Sequence, residues 1–182
     1  MRMTVFHSPF AVIRIFLIIA CMLLTSCAVN QTERKIEFDK EESWVLLPII
    51  NFSQTPQAGE RAERIAETLL RSEGLKTLSH YPSLEDPNGL PILDEQKRFN
   101  SALAWAQDND MRYGVTGSIE EWRYKSGLDG EPAVGVSLQI IDVGSGDVLW
   151  SGSGSRAGWS RESLSGTAHK VLEKLVAKIK LE

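Results

Sequence analysis

Apolar residues fall into two spacings along this chain, and the changes of spacing divide it into elements. Trp44-Val45-Leu46-Leu47-Pro48-Ile49-Ile50 is continuously apolar, the pattern of a strand buried on both faces. Pro48 lacks a ladder donor and predicts an end or a bend there. Thr55 and Pro56 read as N-cap and first turn of a helix. Its buried stripe is Ala62, Ile65, Ala66, Leu69 and Leu70, with the charges from Glu60 to Arg71 on the other faces and Gly74 closing it. Leu75 to Tyr81 suits a short strand, and residues 82–91, with three prolines and Asn88-Gly89, a loop. Asp94 opens a second helix with Phe99, Ala102, Leu103 and Ala106 inward. Tyr113 to Lys125 alternates as a strand, first with Tyr113, Val115 and Ile119 apolar, then with Trp122 and Tyr124. That flip of phase predicts a bulge, or a strand with apolar contacts on both faces.

After a hairpin loop at Gly127-Leu128-Asp129-Gly130-Glu131-Pro132, Val134, Val136, Leu138 and Ile140 share one strand face. Gly144-Ser145-Gly146-Asp147 is a tight turn into Val148-Leu149-Trp150, a strand expected to fade into the Ser/Gly run at 151–155. Ser160 is positioned to cap a last helix, whose stripe runs Leu164, Ala168, Val171, Leu172, Leu175 and Ile179. The order β-α-β-α-β-β-β-α predicts an α/β fold: a single mixed sheet with helices packed on it, over residues 44–182. This arrangement resembles TolB amino-terminal, CsgG-like and LpoB-like domains.

Ahead of the domain lies a different pattern. Ile15 to Leu24 is apolar, flanked by Arg2 and Arg14, and ends in Leu24-Thr25-Ser26-Cys27. A run this short suits a signal peptide better than a bilayer-spanning helix of roughly 20 residues. The closing tetrapeptide reads as a lipobox, with residues 1–26 removed and Cys27 carrying diacylglycerol and an N-acyl chain. Two or more chains anchor a protein stably. Ala28, and not Asp, after the cysteine points to the outer membrane, periplasmic face. Residues 27–43 are polar and read as a lipidated tether. Its roughly 15 residues reach about 50 Å at most.

Removal of residues 1–26 leaves 156, enough for one cored domain. The leader holds two of the 20 basic residues and none of the 24 acidic ones, so the mature charge is −6. That disfavours nucleic acid as a partner and suits a cationic one. Cys21 leaves with the leader and Cys27 is acylated, so neither a disulfide nor a cysteine metal site is expected, and no metal or other cofactor besides the lipid. Catalysis lacks its usual signatures. The serines stand in no G-x-S-x-G elbow, and His80 and His169 read as solvated or hydrogen-bonded. Glu120 and Glu121, adjacent on a strand, should face opposite sides and so not work on one bond. No enzyme activity is expected.

Of the five tryptophans, Trp44 and Trp150 read as core and Trp122 sits at the phase flip. Trp159, between strand and helix cap, suits either a staple against the helix or an anchor at a membrane interface.

Gly117 to Lys125, Gly127 to Gly135, Val148 to Gly152 and Gly158-Trp159-Ser160-Arg161-Glu162 together resemble the PelC family of outer-membrane lipoproteins, which serve Pel exopolysaccharide secretion. The resemblance spans about residues 44–180. It implies a homo-oligomeric ring, a dodecamer, on the periplasmic face of the outer membrane. The partner it implies is a PelB-like β-barrel, and the cargo a cationic polysaccharide. It assigns Trp159 to an aromatic belt against the bilayer, and Asp129 with Glu131 to an acidic funnel. Arg123, Lys125 and Arg161 are then candidates for pairs between subunits. The alternative is a tethered periplasmic regulator of a cell-envelope enzyme, of the peptidoglycan-synthase activator type.

Overall fold

The computed structural model describes residues 36–82, 93–126, 130–159 and 161–182. The leader, Cys27, the loop from residue 83 on, Asp129 and Ser160 lie outside them. Seven strands and three helices follow in the order β1 (Glu37–Phe38), β2 (Trp44–Asn51), α1 (Ala58–Ser72), β3 (Leu78–His80), α2 (Glu95–Asp108), β4 (Tyr113–Tyr124), β5 (Pro132–Asp142), β6 (Val148–Ala157), α3 (Leu164–Val176) and β7 (Lys180–Leu181). The main sheet runs β3-β2-β4-β5-β6. β2 is parallel to β3 and β4, and β4, β5 and β6 form an antiparallel meander.

The chain steps outward from β2 to β3, then back over β2 to β4. Right-handed crossovers in opposite directions place their helices on opposite faces. So α1, joined by α3, covers one face, while α2 covers the other beside Val45, Leu47, Ile141 and Val143. The first face holds the larger core, built on Trp44, Leu46, Val115, Ile119, Trp122 and the four alternating residues of β5.

Both irregularities of the pattern become bulges. Leu47 and Pro48 together oppose Thr116, whose hydroxyl donates to the Pro48 carbonyl at 2.7 Å. Pro48 thus stays inside β2, beyond the reach of β3, which pairs only with Trp44 to Leu46. In β4 the extra residue is Glu120, and Trp122 returns to the core.

Four expectations need correction. The domain begins before residue 44: β1 pairs with β7, and Phe38, 1% exposed, packs edge-on against Trp44 and Tyr113. The tether therefore does not extend to 43. Second, α1 starts at Ala58 after Gln57 in the left-handed region, with no side-chain cap; the Thr55 hydroxyl instead donates to the Trp122 carbonyl. Third, Ser163 caps α3, accepting from the Gly166 N–H at 3.0 Å. Fourth, the Ser/Gly run belongs to β6, which continues to Ala157. Its serines face solvent and its glycines face α3, where a Cβ at Gly152 would lie 2.8 Å from the Trp150 ring. Trp150 is only half-buried, because β6 is an edge strand. Asp94 caps α2 as expected, accepting from Lys97 N–H at 2.7 Å.

Candidate functional site

Trp159 follows β6 and is 78% exposed, so the indole is not a staple against α3. Its backbone is nevertheless fixed. The Gly158 N–H donates to the Pro132 carbonyl at 2.8 Å and the Glu162 N–H to the Trp159 carbonyl at 2.8 Å. The Glu162 carboxylate also binds Arg156 at 3.2 Å and Lys170. The Lys170 ammonium, then the Arg156 guanidinium, hold that carboxyl below the usual range. The exposed indole thus stands on a backbone hydrogen-bonded on either side of it.

Glu131 lies at the same end of the sheet, one residue before Pro132. Its backbone carbonyl accepts from Lys125 N–H at 2.7 Å, and its carboxylate stands 3.8 Å from the Lys125 ammonium. Arg123 pairs with Glu121 at 2.9 Å. Arg123 and Lys125, candidates for pairs between subunits, thus pair within the chain because each faces an acid on its own hairpin.

The opposite end of the sheet carries the start of the domain, where Phe38 meets Trp44 and Tyr113. β4 spans Tyr113 to Tyr124, about 36 Å at roughly 3.3 Å per residue. Eight residues separate Cys27 from Ile36, a reach of about 30 Å when fully extended.

A cleft of about 570 Å³ lies beside the β4 bulge, lined by the loop after β2 and by Glu120 and Glu121. The bulge turns both carboxylates toward this cleft, contrary to the simple alternation expected from the sequence. Glu120 accepts from the hydroxyls of Ser118 at 2.6 Å and Ser137 at 3.1 Å, and Glu121 is held by Arg123.

The carboxyl ends of β2 and β3, whose connections leave to opposite faces, are where α/β sheets most often hold ligands. Here side chains fill that position. Glu63, 2% exposed, accepts from the Ile49 N–H at 2.9 Å, from Arg98 at 2.9 Å and from the Tyr81 hydroxyl at 3.0 Å. Arg98 also reaches Glu60 at 3.3 Å and Glu95 at 3.2 Å. Burial, with the Glu63 carboxylate behind it, pushes the Tyr81 phenol well above its usual range. Burial also raises the Glu95 carboxyl. The sequence reading placed Glu63 in solvent. A usable signal existed: Glu63 stands four residues after Gly59 and three before Ala66, both buried, so it lies within the inward stripe.

His80 donates from Nδ1 to the Tyr81 carbonyl at 2.9 Å, and His169 is exposed. Among the described residues neither histidine bonds to a serine, and no three His, Cys, Asp or Glu side chains converge on a metal position. No described helix is long and apolar enough to cross a membrane.

Fold and surface together define a class: a small α/β domain whose exposed features are an indole, a cleft and paired charges. No family model and no curated protein sequence matches the chain. Among solved structures it is similar to a PelC dodecamer from Paraburkholderia phytofirmans, at 36% identity over 80% of this chain and 91% of that one, with TM-score 0.66. A single-substitution variant of that protein, also a dodecamer, matches at 35% identity over 80% and 94% of the two chains, again with TM-score 0.66. The lipoprotein GNA1162 from Neisseria meningitidis shares the fold at 19% identity, covering 75% and 96%, with TM-score 0.55. The chain belongs to the PelC family.

Proposed function

We propose that this chain is an outer-membrane lipoprotein that assists export of the Pel exopolysaccharide. Acylated Cys27 anchors it in the inner leaflet of the outer membrane, facing the periplasm. Copies assemble into a ring at the mouth of a PelB-like β-barrel. The ring concentrates a cationic polymer there electrostatically, with no covalent step and no cofactor besides its own lipid. The observation that carries this reading is the 36% identity across 91% of a PelC that is itself a dodecamer.

The residues support the division of labour. Trp159 is exposed on a fixed backbone, as an interfacial aromatic must be. Asp129 and Glu131 supply the acidic funnel, and the mature charge of −6 gives it the right sign. Lys125 offsets part of the Glu131 charge. Attraction of this kind weakens with salt. A regulator working at a distance on a long tether fits less well, since the free stretch after Cys27 reaches only about 30 Å.

The test is export in cells that make the polymer. Loss of the chain should leave polymer inside the envelope, and the wild-type chain should restore its release. Cys27→Ser should not restore it, and Trp159→Ala only in part. Release that continues without the chain would contradict the reading.

A further inference from the structure

We propose that neighbouring subunits join head to tail through Phe52, whose ring seats in the groove between β6 and α3 of the next copy. This inference rests on the ring assembly proposed above.

Phe52 is 70% exposed, yet its loop is rigid. The Phe52 N–H donates to the Ile119 carbonyl at 2.9 Å, and Asn51 Nδ2 to the Thr55 carbonyl at 2.8 Å. The Ser53 N–H and hydroxyl both donate to Asn51 Oδ1, at 3.0 and 2.7 Å, and the Thr55 hydroxyl ties the loop to β4. A phenyl ring held in water by a loop with so little freedom has the properties of an interface anchor. Its ordering entropy is lost in folding and not again in binding.

The receptor lies on the opposite edge of the sheet. β6 has a strand neighbour on one side only. Between it and α3 runs a groove of about 220 Å³, floored by Gly154 and Val171 and rimmed by Arg156, Lys170, Lys174 and Lys178. A volume of about 220 Å³ admits a phenyl ring, and cations at the rim favour an aromatic guest.

Charge agrees with shape. Glu120, in the cleft beside Phe52, accepts from the hydroxyls of Ser118 and Ser137 and has no ion pair among the described residues. Lys170 is neutralised by Glu162, whereas Lys174 and Lys178 have no ion pair among the described residues. Seating Phe52 in the groove brings Glu120 toward Lys174. Anchor and groove are separated by β4 and β5, so one subunit presents both patches on opposite flanks. Such a contact is heterologous and propagates, as a closed ring requires.

The test uses the full-length lipidated chain in detergent. Phe52→Asp should reduce the mass to that of a monomer with the melting temperature unchanged. With Phe52, Glu120 and Lys174 left intact, Gln54→Cys combined with Ser153→Cys should give, with a short bis-maleimide, a ladder of linked chains longer than two, while each single variant gives none. Glu120→Lys and Lys174→Glu should each weaken the ring and together restore it. A ring that survives Phe52→Asp, with or without loss of export, overturns this contact and leaves the export reading standing. Products that stop at two chains also overturn it. A wild-type chain that is monomeric at every concentration overturns the ring and this contact together.

Discussion

Glu63 shows how much one side chain settles in this fold. β3 is too short to pair with Ile49, so the Glu63 carboxylate takes the place of the missing strand and accepts that N–H. The same carboxylate neutralises Arg98 and so fastens α2, whose apolar face is small, to α1. Glu63→Ala leaves a buried guanidinium and a buried N–H without this partner. It should lower unfolding free energy by about 3 kcal/mol, measured by urea denaturation. Tyr81 gives a second readout. Its phenol is raised in the folded state, so the stability it contributes is present below the unfolded value of about 10 and lost as pH rises beyond it. The melting temperature should therefore fall on the alkaline side, and Tyr81→Phe should flatten that fall. The stripe of α1 was legible from helical spacing, but its charge put Glu63 on the outer faces, although its spacing from Gly59 and Ala66 lies within the stripe. The partner was not, because nothing local says that Arg98, 35 residues later, arrives at the same point.

Elements are held apart by backbone contacts that spacing does not encode. Gly59 lies in the first turn of α1, where a Cβ would come within 2.2 Å of the Ile49 carbonyl oxygen. Gly59→Ala must push the helix off β2 and should cost about 2 kcal/mol or more, seen as a lower urea midpoint. Gly154→Ala is the control. Its Cβ would stand 3.4 Å from Val171, an ordinary contact, and the unfolding free energy should change by less than about 1 kcal/mol. The order of elements, the β4 bulge and the Asp94 cap were all legible, since each leaves a mark in alternation or in a capping residue. The extension of β6 was not, because a strand of serine and glycine carries no apolar pattern. β1 was missed for a related reason: two residues around one buried Phe38 are too short to show a period.

At the scale of the molecule, the stretch that follows the proposed lipid site enters the domain at one end of the sheet and Trp159 lies at the other. The domain starts beside Tyr113, Trp159 lies beyond the far end of β6, and β4 spans about 36 Å between. On the proposed anchoring at Cys27, eight residues of about 30 Å maximal reach let lipid and Trp159 meet one membrane only if the sheet lies oblique to it. Deleting four of residues 28–35 should therefore reduce export while the protein remains in the membrane fraction. Adding four should be tolerated. Unchanged export after the deletion would remove Trp159 from the bilayer. The candidate site was only partly legible in the sequence. Trp159 stood out by its junction, whereas Phe52 and the groove come into relation only once β2 and β6 are placed in one sheet with β4 and β5 between them. The measurement that tests the whole account most directly is the mass of the lipidated wild-type chain in detergent, corrected for bound detergent. A closed assembly of about twelve chains, as in the Paraburkholderia phytofirmans protein, is the predicted result. A monomer across all concentrations would contradict it.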